Sequence, residues 1–400
     1  MLDRWFGEMK PGSLRSSVIL LSTTGIGACK SSPGCLSLPQ VLDLAGLYQG
    51  LLLIQVTGLV SLMSMNTVSK ASERLRRPDF VEVVETLLGW WAAKGVAGLY
   101  VLFSLGTIIF YECTRYTDVA GCILVSEFPG IDKYHDEILI AYNAFIWVHL
   151  SIWNSCSPAK YISCLSFLGL VYLTIVLCVQ FPAHLPLEHA VVDWKWEGLN
   201  VATAVSLCTV AFVTPTNVAT LQNDLANPIR RRIKKVNFLV ITIQQVLYSL
   251  LGLIGYLTTL NSTPALITDR IPAASQSLDT WMDVAKCVMF LALVCDVPTY
   301  ILPSRKALLQ LFEVREAQQT EMASGALCLG LPTLVMLMPL DPNLLMNVLA
   351  AQCAWFFYLV PGVVELKLSS QAWFAPKNLF WLCTMLAYTA VSMWALIGSF

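Results

Sequence analysis

Eleven long apolar segments divide the sequence, and each is bounded by charged residues, proline or glycine. They cover approximately residues 14–42, 44–69, 88–113, 138–156, 160–181, 198–222, 236–260, 281–311, 322–340, 343–366 and 377–398. A helix needs about 20 predominantly apolar residues to cross the hydrocarbon core of a bilayer. Every segment is close to this length or above it, so the pattern predicts an all-α, polytopic membrane protein with eleven transmembrane helices.

The composition excludes a soluble globular class. Of the 400 residues, 56% are hydrophobic and only 13% are charged, whereas a soluble domain carries about 25% charged residues. The net charge of −1 gives no reason to expect a nucleic-acid partner. Most of the 13 cysteines lie inside apolar segments and none forms a Cys-x-x-Cys pair, so we expect no metal site and no cofactor.

The distribution of lysine and arginine predicts the orientation. If residues 1–13 form a cytosolic N-terminal tail, 19 of the 25 basic residues lie in inner segments, in agreement with the positive-inside rule. We therefore expect an integral membrane protein with a cytosolic N-terminus, in either the plasma membrane or a vacuolar or endolysosomal membrane. The inner loop 70–85 mixes basic and acidic residues, and we interpret it as a solvated face without chemistry.

Two further features mark the ends of the predicted spans. The basic run 230–235 could form a surface for nucleic acid or anionic lipid, but the positive-inside pattern favours a simple inner anchor for the following span. Several tryptophans, among them Trp90, Trp91, Trp281 and Trp381, lie near predicted span ends, where we expect them at the membrane interface.

The first and sixth segments each contain residues that interrupt a helix. Residues 25–35 include several glycines and Pro33, and residues 214–217 read Thr-Pro-Thr-Asn. Such stretches should be unwound, and unwound backbone at membrane depth needs protein or a water-filled cavity around it. The alternative is two kinks that only serve helix packing.

The two breaks are separated by five spans, which is typical of a five-helix unit repeated with inverted topology. On this interpretation residues 14–181 form the first repeat and residues 196–366 the second. Together they make a ten-helix transport core over 14–366, and the segment 377–398 is an eleventh transmembrane helix outside the repeat.

Paired breaks of this kind bind substrate in transporters. Free backbone N–H groups at a half-helix N-terminus bind a carboxylate, and carbonyl and hydroxyl groups accept an ammonium or a cation. These groups suit a zwitterion. The candidate substrate-binding residues are Gly25, Ile26, Gly27, Gly34, Cys35, Thr214, Thr216 and Asn217.

The eighth segment carries a carboxylate, Asp296, deep within an apolar run. A charge at this depth is costly unless it faces a cavity or a partner, so it is a candidate for function. We expect Asp296, with Thr299 nearby, to take part in ion or proton coupling. The alternative is a structural one, in which Asp296 caps a helix break before Pro298.

Several motifs resemble those of the amino acid/auxin permease family, especially its neutral amino-acid transporter branch, within the APC superfamily. They are Gly-Cys-Leu-Ser-Leu-Pro at 34–39, Asn-Asp-Leu at 223–225, Gly-Tyr-Leu-Thr at 255–258 and Pro-Ser-Arg at 303–305. The resemblance implies a LeuT-type fold with eleven spans and broken first and sixth helices. It also implies secondary active transport of amino acids by alternating access.

The sequence departs from sodium-coupled members of that family. Leu21 stands where they have an asparagine, and Asp296 stands where they have a hydroxyl residue. We therefore expect proton coupling or uniport rather than sodium coupling. A membrane amino-acid sensor that signals without significant transport is the alternative. An enzyme is not expected, because only one of the four histidines, His149, lies within a span.

Overall fold

The computed structural model describes a chain whose regular structure, in the described ranges, is entirely helical. These ranges are residues 33–77, 79–115, 159–184, 200–213, 218, 230–260, 263–270, 280–313, 327–328, 330–332, 342–369 and 375–397. The prediction of an all-α membrane protein is confirmed for this part of the chain.

Most of the helices follow the predicted segments, but Phe80–Leu88 is a helix with one buried face where the sequence predicted an inner loop at 70–85. The helices are α1 Pro33–Leu36, α2 Leu38–Ala45, α3 Leu47–Leu75, α4 Phe80–Leu88, α5 Trp90–Arg115, α6 Ala159–Gln180, α7 Val201–Ala211, α8 Arg230–Thr259, α9 Thr280–Phe312, α10 Pro342–Cys353, α11 Val360–Leu368 and α12 Pro376–Ile397. A π-helical segment, Ala354–Leu359, joins α10 to α11. Short 3-10 turns follow α6 at Phe181–His184 and precede α9 at Ile267–Asp269.

Six stretches of the described helices are long and apolar enough to cross a membrane. They are Leu47–Leu75, Trp90–Phe110, Phe167–His184, Arg230–Thr259, Asn347–Leu368 and Asn378–Ile397. A multi-span membrane protein is therefore established. The total of eleven spans stays a prediction, because the fourth segment and most of the ninth lie outside the described residues.

Two glycines make the sharp turns between consecutive helices. Gly46, with φ +82°, separates α2 from α3, and Gly89, with φ +92°, separates α4 from α5. Glycine adopts this left-handed region without a Cβ penalty. The chain can therefore change direction within a single residue at both points.

The short helices α1 and α2 lie at the centre of the packing. Helix α7 contacts both of them, and α2 also packs against α3 and α8. Helix α9 packs against α5 and α6, whereas α10 contacts α5 and α7. Helix α12 lies against α7, α10 and the π-helical segment.

Large apolar side chains cover the outer surface of this bundle, as a bilayer requires. Leu59 is 54% exposed, Val179 is 67% exposed and Trp394 is 74% exposed. Trp91 and Trp281 are also exposed at helix ends, where the interfacial prediction placed them.

The interfacial prediction was wrong for Trp381, which is only 2% exposed. One helical turn further along α12, the Met385 side chain packs directly on Gly362 of α11. Residues four apart share a helix face, so this turn of α12 faces the protein and Trp381 is buried with it.

Helix α9 is continuous from Thr280 to Phe312 and passes through Pro298 and Pro303 without a break. Proline removes one backbone hydrogen bond, which neighbouring helices can compensate within a membrane bundle. The alternative in which Asp296 caps a helix break before Pro298 is therefore wrong.

Candidate functional site

The first and sixth segments meet backbone to backbone. Gly34 of α1 faces the last turn of α7, and a Cβ atom at Gly34 would lie 2.7 Å from Cα of Ala211 and 2.8 Å from the carbonyl carbon of Val210. Atoms do not approach this closely without a shift, so only glycine fits. The two half-helices therefore touch close to the predicted breaks: Gly34 lies within 25–35 but is helical, and Ala211 lies three residues before 214–217.

The local sequence explains the shape of the first half-helix. Helix α1 begins at Pro33, and proline suits a helix start because its missing N–H group would have no intrahelical acceptor. Ser37, with φ −92° and ψ 3°, interrupts the helix before α2 begins. Gly34 and Cys35 are both buried within this interrupted stretch.

The end of α7 is held by groups from other helices. Ser61 of α3 donates a hydrogen bond from its Oγ to the backbone oxygen of Phe212, at 3.1 Å. The Phe212 ring packs edge-on against Tyr248 of α8 with 5.1 Å between ring centroids. A carbonyl at a helix end has no intrahelical partner, so Ser61 supplies one where water is scarce. Helix α7 thus ends just before the predicted break at 214–217.

Two glycines from neighbouring helices close around α2. A Cβ at Gly50 of α3 would lie 2.9 Å from Cα of Leu42, and a Cβ at Gly255 of α8 would overlap the ring of Pro39. Small residues let membrane helices approach closely. Gly255 and Pro39 belong to two of the motifs noted in the sequence, so close packing of α2 gives a physical reason for both.

The structure describes only part of the predicted site. Gly34 of α1 lies against the end of α7, and Cys35, the next residue of α1, is buried. The remaining predicted substrate-binding residues lie outside the described residues: Gly25, Ile26, Gly27, Thr214, Thr216 and Asn217. For Asp296 and Thr299 the structure describes the backbone alone, within α9.

Sequence reasoning missed a buried ion pair between α3 and α11. Nζ of Lys70 lies 2.8 Å from Oε1 of Glu365, and the two side chains are 10% and 2% exposed. Thr67 donates a longer hydrogen bond, 3.5 Å, to the other carboxylate oxygen. The prediction that Lys70 lies in a solvated loop was wrong, because α3 continues through Lys70 to Leu75.

One sequence signal could have revealed this pair. Glu365 is the only acidic residue in Val360–Leu368, which is otherwise largely apolar. A carboxylate at such a position needs a cation nearby, since a buried charge is costly without a partner. Lys70 directly follows the second segment, on the predicted inner side of the membrane, where the tenth segment also ends.

A π-helical turn and an aromatic cluster lie beside this pair in the fold. Ser64 of α3 donates a hydrogen bond to the backbone oxygen of Phe357 at 2.5 Å. The Phe357 ring lies edge-on to Phe103 of α5, with 5.5 Å between centroids, and Phe356 lies 5.3 Å from Tyr100. Single π-helical turns are frequent at functional sites, and this one is anchored by both α3 and α5.

An open cavity of about 740 Å³ lies between α4, the start of α5 and the end of α9. Lys94 bridges its walls, with Nζ 3.0 Å from Glu313 and 3.9 Å above the Trp90 ring. The hydrogen bond and the positive charge of Lys94 lower the pKa of the exposed Glu313 carboxyl. Of the predicted substrate-binding residues, the structure describes Gly34 and Cys35, and neither lines this cavity.

Solved structures define the class of protein to which this fold belongs. The chain is similar to Mhp1, a nucleobase-cation-symport-1 family transporter (TM-score 0.61, 12% identity), over 95% of this chain and 90% of that one. It is also similar to an Eremococcus coleocola manganese transporter (TM-score 0.56, 12% identity), over 94% and 86% of the two chains. At these identities the likeness establishes the LeuT-type fold alone.

The family is established by sequence. Residues 10–398 match the family model described as transmembrane amino acid transporter protein, and the chain belongs to this family. The resemblance to the amino acid/auxin permeases is thereby confirmed. The family is one of transporters rather than enzymes.

Two curated relatives share one name. The chain is 22% identical to "Putative amino acid transporter AAT1" of Toxoplasma gondii over 75% of its own length, and 22% identical to the protein of that name from Plasmodium falciparum over 77%. These matches cover 41% and 49% of the relatives. The chain therefore spans less than half the length of either relative.

Proposed function

We propose that this protein is a secondary transporter that moves amino acids across a membrane by alternating access. The contact of Gly34 with Ala211 carries the proposal, because it brings the interrupted helix of the first segment against the truncated helix of the sixth. Transporters of this fold class bind substrate between two such discontinuous helices.

The helix contacts support an inverted repeat of five helices over 14–181 and 196–366. Each helix would correspond to the one five spans later, so α3 corresponds to α8, α5 to α9, and α6 to the α10–α11 span. Helix α6 contacts α8 and α9, and the corresponding contacts, α11 with α3 and α10 with α5, are also present. A fold without an internal repeat would not be expected to contain both a helix contact and its counterpart.

The substrate chemistry that fits these breaks is a zwitterion. In the proposed site, backbone N–H groups around Gly34 and Cys35 bind the carboxylate, since a half-helix start leaves such donors free. Carbonyl and hydroxyl groups around Thr214, Thr216 and Asn217 accept the ammonium group. The family description, transmembrane amino acid transporter protein, favours the same substrate class.

We infer coupling to protons, or uniport, rather than to sodium. A carboxylate at position 296 can exchange a proton within the membrane, and the amide of the sodium-coupled relatives is replaced by Leu21. Asp296 and Thr299 are the proposed coupling residues. Their place on an unbroken helix that packs against α5 and α6 is compatible with this role.

The alternative function is a sensor that binds amino acids without significant transport. Counterflow separates the two: proteoliposomes preloaded with unlabelled amino acids are diluted into the labelled compound, and only a carrier exchanges one for the other. We expect transient accumulation of label. Saturable binding of the labelled amino acid without counterflow would favour the sensor.

A further inference from the structure

A basic surface lies where α3 ends and α8 begins. Arg74 lies in the last turn of α3 and Arg76 directly follows that helix, whereas Arg231, Lys234 and Lys235 lie at the start of α8. All five residues are exposed. We call these five residues the basic end surface.

A buried hydrogen-bond cluster fixes the register of the two helices. Nδ2 of Asn237 donates to Oδ1 of Asn66 at 3.1 Å and to Oγ of Ser69 at 3.3 Å. Arg230 lies seven residues before Asn237, and Arg76 lies seven residues after Ser69. Both helix ends therefore extend about 10 Å beyond the cluster, at 1.5 Å per residue. The basic residues of α3 and α8 lie at one level.

The basic residues of α8 share a face with its lipid-facing apolar side chains. Phe238 is 57% exposed and Val246 is 54% exposed. Arg231, Lys234 and Lys235 precede Phe238 by seven, four and three residues, which places them on its side of the helix. On the opposite side, Val236, Asn237 and Val240 are fully buried against the protein.

Two nearby carboxylates pair elsewhere, whereas Glu73 is exposed directly before Arg74 in α3. Glu365 binds Lys70, and Glu82 lies 3.5 Å from Arg77. Within the ranges that the structure describes, Arg231, Lys234 and Lys235 form no ion pair with an acidic side chain. These three residues of α8 thus present uncompensated positive charge at the edge of the lipid-facing surface.

We propose that the basic end surface binds the headgroups of anionic phospholipids. A topological anchor only requires positive charge somewhere on the inner side of a span. Here the basic residues of α8 continue the line of its lipid-facing apolar side chains, and Arg74 and Arg76 lie at the same level. Clusters of basic residues next to a membrane span recognise acidic headgroups. The proposal does not depend on the transported substrate or on the coupling ion.

Native mass spectrometry of the purified, delipidated full chain tests this proposal. Phosphatidylserine or phosphatidylcholine is added back and the bound lipid is counted. We expect the wild type to retain phosphatidylserine preferentially, and K234Q/K235Q to lower that retention roughly tenfold. The control K306Q removes an exposed lysine from α9, which carries none of the five residues, and it should behave as the wild type. Lys367 is unsuitable as a control, because Arg74 donates a hydrogen bond to the backbone oxygen of the adjacent Leu368.

Two results would overturn the proposal. One is equal retention of the two lipids by the wild type, which requires no variant to fold. The other is an equal loss of phosphatidylserine from K234Q/K235Q and from the control, since total charge alone would then explain binding. A loss confined to K234Q/K235Q supports the surface defined here.

Discussion

Nζ of Lys70 and Oε1 of Glu365 lie 2.8 Å apart, although the residues are 295 positions apart in the chain. The pair joins α3 to α11 and is almost fully buried. Removing one partner leaves the other charge buried and uncompensated, so we expect K70M or E365Q to lower the free energy of unfolding by about 3–5 kcal/mol. Chemical or thermal unfolding of the purified protein in detergent measures this loss.

Two comparisons make this prediction specific. The double variant K70M/E365L replaces both charges by apolar groups and should recover much of the lost stability, because a buried pair is often replaceable by hydrophobic residues. E82Q removes the exposed partner of Arg77 and should change stability by less than about 1 kcal/mol. Equal effects of E82Q and E365Q would contradict the buried-pair interpretation.

The contact between Gly34 and α7 predicts a steric effect. In G34A the new Cβ meets the backbone of Ala211 and Val210, neither of which can rotate away as a side chain would. We expect a loss of about 1–3 kcal/mol of stability and at least a tenfold loss of amino-acid uptake in proteoliposomes.

Gly98 of α5 provides the control for G34A. A Cβ at Gly98 meets nothing within 4 Å, and alanine is the better helix former by about 1 kcal/mol. G98A should therefore keep uptake and equal or exceed wild-type stability. Normal uptake by G34A would show that the half-helix contact is dispensable.

The proposed coupling role of Asp296 predicts a change in pH dependence. In D296N the side chain can no longer take up a proton, so uptake should become insensitive to an imposed pH gradient. The measurement compares uptake with and without the gradient. D283N, in the first turn of the same helix, should respond as the wild type does. Retention of the full gradient response by D296N would assign coupling to another residue.

The predicted orientation determines from which side of the membrane a reagent can reach each loop. Ala265, between α8 and α9, is exposed on the predicted outer side, and Lys367, at the end of α11, is exposed on the predicted inner side. An impermeant maleimide added outside sealed cells should label A265C above the wild-type background and label K367C only after permeabilisation. The reverse pattern would invert the topology.

Much of the fold could be predicted because bilayer physics imposes a simple pattern. Spans of the required length are visible as apolar segments. The helix-breaking residues of the sixth segment predicted that α7 would end early, whereas in the first segment the described interruption is at Ser37, just after the predicted break at 25–35. The end of α7 at Ala211, before the Thr-Pro-Thr-Asn stretch, fits that reasoning.

The ion pair and the buried tryptophan could not be predicted as easily, because each depends on which face of a helix turns inward. Hydropathy placed Lys70 beyond the second span, whereas the helix continues and its partner comes from a span 295 residues away. Trp381 lies at a span end but on the face of α12 that packs against the protein. Only tertiary contacts decide such cases.

Uptake into proteoliposomes measures the proposed amino-acid transport itself. The purified full chain is reconstituted and exposed to a set of radiolabelled amino acids, with and without an inward proton gradient, against protein-free liposomes and G34A. We expect saturable, time-dependent accumulation of at least one amino acid by the wild type and a strong reduction in G34A. Uptake that equals the protein-free background for every amino acid under both conditions would contradict the proposed transport.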